Sequence, residues 1–372
     1  MARKNRSAVI NEQEVNLYHI TDRCVRRAFL MGDDVVTDKS FDHRRDWLRE
    51  RLIQLSGIFR IDVIGYSIMG NHVHLLLRNR PDLTENLSPA AIVRDWWEIS
   101  PQYRRDGEGG RLTPKRLDKL LADVELIERW RQRLSSISWF MRYLKLPLAV
   151  AANDEDNRSG HFWQARFQCK PVKSLAALLN TMIYIDLNPI RAGMARSVDD
   201  SQYTSAYDRV TAVKELRRWR RKGSRHARRQ AKLRAGREDV LQLSDDWLCP
   251  IELQETSPGS GKTPTSQQAN RQVARGGAQR GVLPISTEKY LMLVDIAGRI
   301  ERKGKRGRIS ANAKPILEKL GFSTPKEWLK SYRQTAHAIS RTYTRPVNTL
   351  AEANRVRLPL VDSSKSNGDC LL

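Results

Sequence analysis

Cysteine is scarce and scattered in this chain of 372 residues: Cys24, Cys169, Cys249 and Cys370 form no Cys-x-x-Cys pair. That spacing excludes a zinc ribbon and offers no disulfide framework, so a reducing, cytoplasmic setting is expected. Long apolar runs are missing too. No stretch approaches the roughly twenty residues that cross a bilayer, and Met1-Ala2-Arg3-Lys4-Asn5-Arg6 leads into no signal-like apolar core, so no membrane role is expected. Acids are outnumbered, with 42 Asp and Glu against 66 Lys and Arg and a net charge of +24. Such an excess points to a polyanionic partner, because neutralising phosphates releases counterions. Nucleic acid is favoured over anionic lipid or a merely solvated basic surface.

A phosphate-binding loop is also excluded. Gly259-Ser260-Gly261-Lys262-Thr263 resembles the end of one, but Thr256 stands where its first glycine belongs. No strand precedes it, and Pro264 obstructs the helix that should follow. No internal repeat is evident.

What is present reads as alternating strands and helices. Val15–Thr21 has strand character, Ala28-Phe29-Leu30 suggests a short second strand, and Phe41 to about Ser56 has helical spacing of Trp47, Leu48, Leu52, Ile53 and Leu55. Ile61–Met69 and His72–Leu77 make a hairpin around Gly70-Asn71. Ser88-Pro89 and Thr113-Pro114 open two helices, the second reaching roughly Leu134, and a third covers Ile137 to about Ala152. Gly160–Phe167 leads into an edge-like strand, and Ser174 caps a helix striped by Leu175, Leu178, Leu179, Met182, Ile183 and Leu187. A basic arm, including Arg217-Arg218-Trp219-Arg220-Arg221-Lys222, runs from Lys214 to Arg237. Ser257–Gly281 has linker composition. Glu288–Ile300, Asn312–Leu320 and Pro325–Ser340 suggest three helices of a small domain, with a basic loop from Arg302 to Arg308 after the first.

The hairpin carries the first chemical signal. On a strand, residues two apart face the same side, so His72 and His74 project together and could hold a metal. Strand alternation alone also produces such pairs. Further on, Tyr184 and Asn188 stand four apart and share a helix face. A tyrosine hydroxyl can act as a nucleophile, and an Asn oxygen is a hard, neutral ligand. Each also has an ordinary reading: Tyr184 as a core aromatic with its hydroxyl at the rim, Asn188 as a turn residue before Pro189. Asp186 reads as a solvated helix charge without a role.

Three stretches taken together change the weighting. Met69-Gly70-Asn71-His72-Val73-His74-Leu75-Leu76-Leu77, Gly160-His161-Phe162-Trp163-Gln164-Ala165-Arg166-Phe167, and Tyr184-Ile185-Asp186-Leu187-Asn188-Pro189-Ile190-Arg191-Ala192-Gly193 resemble, in order, signatures of the single-tyrosine HUH transposases. The last is most similar to the branch called REP-associated tyrosine transposases. The resemblance covers roughly Val15 to Tyr207. It implies an α+β fold, a ferredoxin-like antiparallel sheet flanked by helices. It also implies Tyr184 as the nucleophile, His72, His74 and Asn188 as ligands of a divalent ion, and a 5′-phosphotyrosine intermediate on single-stranded, hairpin-bearing DNA. Mg²⁺ or Mn²⁺ suits this thiolate-free set better than Zn²⁺.

Candidate DNA contacts are Trp163, Arg166, Arg191, Arg217, Arg218, Trp219, Arg220 and Arg221, with core packing the equal alternative for Trp163. The expected organisation is a transposase domain over 1–207 with a helical insertion at about 84–134. A basic arm and linker over 208–284, a small helical domain over 285–348 and a tail over 349–372 follow. The setting implied is cytoplasmic and nucleoid-associated, with monomer and homodimer both open. A catalytically silent nucleic-acid-binding protein on the same scaffold is the main alternative; a replication-initiator or relaxase nuclease ranks below it.

Overall fold

In the computed structural model the described residues are 9–25, 28–34, 38–100, 110–222, 243–253, 281–301 and 304–320. Beyond them lie the expected linker, most of the basic arm and the helix expected at Pro325–Ser340. The element order is β1 (Asn16–Arg23), β2 (Asp33–Asp34), β3 (Lys39–Ser40), α1 (His43–Ile58), β4 (Ile61–Ile68) and β5 (His72–Asn79). Helices α2 (Pro81–Thr84), α3 (Pro89–Ile99), α4 (Pro114–Leu121), α5 (Val124–Leu134) and α6 (Ile137–Glu155) follow, then β6 (Gln168–Pro171). The chain continues through α7 (Leu175–Asp186), α8 (Asn188–Ala192), α9 (Ser205–Lys222), α10 (Thr287–Arg299) and α11 (Ile316–Lys319).

The fold is α+β. Its main sheet has four strands in the order β4-β5-β1-β6, each antiparallel to its neighbours. With helices between β1 and β4 and between β5 and β6, this is the split βαβ arrangement of ferredoxin-like sheets. Strand alternation assigns the two faces. Tyr18, Ile20, Val73, Leu75 and Leu77 enter one core with Leu48, Leu52 and Leu55 of α1 and Phe140, Met141 and Leu144 of α6. Leu17 and Leu76 enter a second core with Leu178, Met182 and Ile185 of α7, Val210 of α9, and Tyr290, Leu291 and Val294 of α10. Residues 281–320 therefore share the core on the second sheet face, where a separate small domain was expected. The expected insertion likewise adds Ile92, Val93, Trp96 and Trp130 to the first core.

Local chemistry explains where elements stop. Ser88, Thr113, Ser136, Ser174 and Ser286 each accept a backbone N–H as helix N-caps. Asp123 does the same for Leu126, which splits the single helix expected from Pro114 to Leu134 into two. Ala28-Phe29-Leu30 is no strand: the short pair lies at β2 and β3, and Phe29 packs on the hairpin turn. Gly70 is needed there, since a Cβ would stand 2.9 Å from the Phe29 ring. The helix expected at Asn312–Leu320 is cut to α11, with Pro315 as its N-cap.

Candidate active site

Paired residues in a sheet share a face, and β1 and β5 pair Thr21 with His74 and Arg23 with His72. Hence His19, Thr21, Arg23, His72 and His74 line the sheet face covered by α7. His74 is buried, and its Nδ1 lies 3.0 Å from His19 Nε2 and 3.3 Å from Thr21 Oγ1. The His72 and His74 rings meet edge-on at 5.1 Å. His72 Nδ1 is 2.6 Å from Asn71 Oδ1, an oxygen that only accepts, so the proton sits on Nδ1 and Nε2 keeps its lone pair. Burial lowers His72 and His19 to about 4 and His74 to about 2; neighbouring positive charge from Arg23 on His72, and from Lys170 on His19, adds to this. All three imidazoles are neutral at physiological pH. Neutral rings are the form that binds metals.

The nucleophile candidate reaches this cluster from α7. Leu178, Met182 and Ile185 bury one side of that helix, while Tyr184 remains 42% exposed. Its ring stands edge-on to His74 at 5.4 Å and to His19 at 6.1 Å. The sheet pair and the helix tyrosine thus meet, with the phenol open to solvent. Asn188 begins α8, one turn beyond Tyr184, and its Nδ2 is buried without a hydrogen-bond partner. Rotating the amide puts the oxygen in the same place, so the position suits a carbonyl ligand. Among the described residues no group of three or more His, Cys, Asp or Glu side chains is disposed to hold a metal. A centre here would rest on two imidazoles and one amide, leaving positions for substrate oxygens. The donor chemistry fits such an ion. His19, engaged with His74 Nδ1, is an orienting partner.

Asp186 is far from solvated. It is 1% exposed and accepts from Ser205 Oγ at 2.5 Å, from the Ala206 amide at 2.9 Å and from the Tyr290 hydroxyl. Burial raises its carboxyl, and it ties α7 to α9 and α10.

The expected DNA contacts divide. Trp163 is 8% exposed, gives its indole N–H to the Lys145 carbonyl and packs with the first core at the wall of a groove. The Arg191 guanidinium is buried and donates to the carbonyls of Ala297, Ile300 and Gly307, so it holds protein backbone where a phosphate contact was expected. Arg166 is exposed on a groove of about 910 Å³ that Arg142, Lys145 and His161 also line. Arg217 donates to the Leu320 carbonyl, and Arg218 and Trp219 are exposed near the end of α9. That end lies roughly 25 Å along the helix from Ser205. Arg220 and Arg221 continue the helix, with side chains outside the described set.

His19, Thr21 and Arg23 were not anticipated, although their alternation with Tyr18, Ile20 and Asp22 marks them as one polar strand face.

No family model matches the chain, and no curated protein matches it. Among solved structures, a REP-associated tyrosine transposase bound to a REP hairpin is similar over 56% of this chain and 86% of that one, at 14% identity and a TM-score of 0.32. At that distance, what the site does has to be argued from its own residues.

Proposed function

We propose that the protein is a DNA transposase that binds single-stranded, hairpin-bearing DNA and cleaves and rejoins it through Tyr184. The observation that carries this reading is the exposed Tyr184 phenol set against the neutral His72–His74 pair. Its hydroxyl oxygen attacks a backbone phosphorus, the bond to the 3′ oxygen breaks, and that oxygen leaves as a 3′-hydroxyl. The phenolic proton passes to water at the open face. The new 5′-phosphotyrosine bond conserves the phosphodiester energy, so another 3′-hydroxyl reverses the step and joins a new strand. His72, His74 and Asn188 would hold Mg²⁺ or Mn²⁺. Held there, such an ion would supply Lewis-acid polarisation of the phosphoryl group and stabilisation of the leaving oxygen. Arg23, opposite His72, adds a cation on the same face, and the net charge of +24 draws in the strand.

A second reading, a silent nucleic-acid binder, is favoured by the His19–His74 contact, which engages one nitrogen of a candidate ligand within the protein. One experiment separates the two. Labelled single strands carrying hairpins with randomised flanks are incubated with Mg²⁺ or Mn²⁺ and run on a denaturing gel. The transposase reading expects a protein-linked band that Tyr184→Phe abolishes while binding persists. A band that survives Tyr184→Phe removes this nucleophile; salt-sensitive binding with no band under either metal leaves the silent binder.

A further inference from the structure

The basic loop after α10 does not lie apart from the candidate site. Arg191, seven residues beyond Tyr184 in the sequence, donates to the carbonyls of Ala297 at 2.6 Å, Ile300 at 2.7 Å and Gly307 at 3.5 Å. In return the Arg306 amide donates to the Arg191 carbonyl at 3.2 Å. Two glycines make the approach close. A Cβ on Gly307 would fall 2.1 Å from the Ile190 carbonyl oxygen, and one on Gly298 would fall 3.1 Å from Leu187 Cδ2. The loop is therefore strapped to Leu187–Gly193, the segment that starts one turn past Tyr184 and contains Asn188.

The strap determines which cations stay available. Arg308 is held by Glu301 at 2.5 Å. Lys305 and Arg306 are exposed, and Gly304 just before them takes a left-handed φ of 77° that turns the chain. Lys305 directly precedes Arg306, whose amide bonds the Arg191 carbonyl, so its exposed side chain starts beside the segment that carries Asn188.

We propose that this loop completes the active site and that Lys305 holds a phosphate of the DNA strand at the scissile position, with Arg191 as the positioning residue. This rests on the Tyr184 reaction proposed above. It gives residues 281–320 a chemical task in addition to closing the second core. Lysine suits it: a flexible stem carries a point charge to a backbone phosphate without reading sequence.

The test uses the full chain. In a Tyr184→Phe background, where strands bind without reacting, affinity for a fluorescein-labelled single-stranded oligothymidylate is measured by anisotropy against salt. Lys305→Ala should lower the slope of log K against log salt by about 0.7, the share of one single-strand phosphate. Lys289→Ala, an equal charge change at the exposed start of α10, should lower it by less. With Tyr184 intact, Lys305→Ala should slow adduct formation on the hairpin pool at saturating DNA by about a hundredfold or more, and Lys305→Arg should restore most of it. A slope equal to that of Lys289→Ala overturns the proposal. So does a reduced slope with an unchanged adduct rate, which would put the loop on DNA away from the reacting phosphate. Absence of any adduct from the unmodified protein defeats the Tyr184 reaction itself. The slope is then read separately, and reports whether Lys305 meets a phosphate.

Discussion

Replacing Tyr290 by Phe removes one oxygen from the second core and nothing else. The phenol is 0% exposed and its hydroxyl donates to Oδ2 of Asp186, itself 1% exposed. Oδ1 keeps Ser205 and Ala206, so the variant strands a single carboxylate oxygen away from water. Hydrogen bonds to charged groups contribute about 1.5–3 kcal/mol, and loss of one partner leaves the other's desolvation cost uncompensated. No carbon is removed, so no cavity of consequence adds to this. A loss of about 2 kcal/mol is expected, a drop of about 4–8 °C in Tm by the scaling for domains of 150–250 residues. Guanidinium unfolding followed by tryptophan fluorescence reads it. A double-mutant cycle with Asp186→Asn should give a coupling of at least about 1 kcal/mol. The sign with pH is also set. Burial raises Asp186, so the folded state holds its proton more tightly than the unfolded chain does. The cost of the ionised form is present above the raised value and is recovered as pH falls through it, where the hydroxyl meets a neutral acid. The Tyr290→Phe penalty should shrink in the same direction. A loss below about 0.5 kcal/mol at neutral pH would refute the view that this bond ties α10 to α7.

Asp245 offers a second pH test: burial, with Asp246 and Asp208 nearby, pushes its carboxyl from 3.8 up to about 6. Its ionised form therefore costs stability above about pH 6, and the cost fades as pH falls. Because the side chain is partly exposed, the effect is set at about 1–2 kcal/mol. Asp245→Asn should stabilise the protein by that amount at pH near 7 and by progressively less toward pH 4; equal gains at both pH values would contradict the assignment. Asn71→Ala removes the acceptor that fixes the His72 tautomer and should weaken Mn²⁺ binding by about ten- to a hundredfold in calorimetry. Unchanged affinity would mean that Asn71 does not orient the ligand.

The sheet was legible because its signals are local. The Gly70-Asn71 turn, the alternation of β5 and the serine caps each act within a few residues, and each reappears in the structure. Tyr184 and His74 were legible as chemistry, yet their meeting depends on α7 packing over β5, which no local pattern states. The errors have one cause. Asp186 read as solvated because Ser205 and Tyr290, its partners, lie in distant segments. Arg191 read as a phosphate contact because a guanidinium suits carbonyls and phosphates alike. Only the placement of Ala297, Ile300 and Gly307 decides between them. His19 was missed for the same reason: its task comes from β1 pairing with β5.

The turn from Tyr184 to Gly193 shows why the described residues of 281–320 belong to the same unit as the sheet. Tyr184 faces the histidines, Asp186 points to α9 and α10, Leu187 touches the Gly298 position, and Arg191 grips the loop after α10. Each direction is a separate constraint on a segment that carries the nucleophile candidate and the third ligand candidate. Holding such groups within a fraction of an ångström requires locked supporting contacts, and here residues 281–320 supply several of them. Without those residues, a buried carboxylate and a buried guanidinium would each lose partners beside the site. Unpaired buried charges are costly enough to rearrange their surroundings. The core shared by α7 and α10 therefore serves the geometry at Tyr184 as well as the stability of the fold.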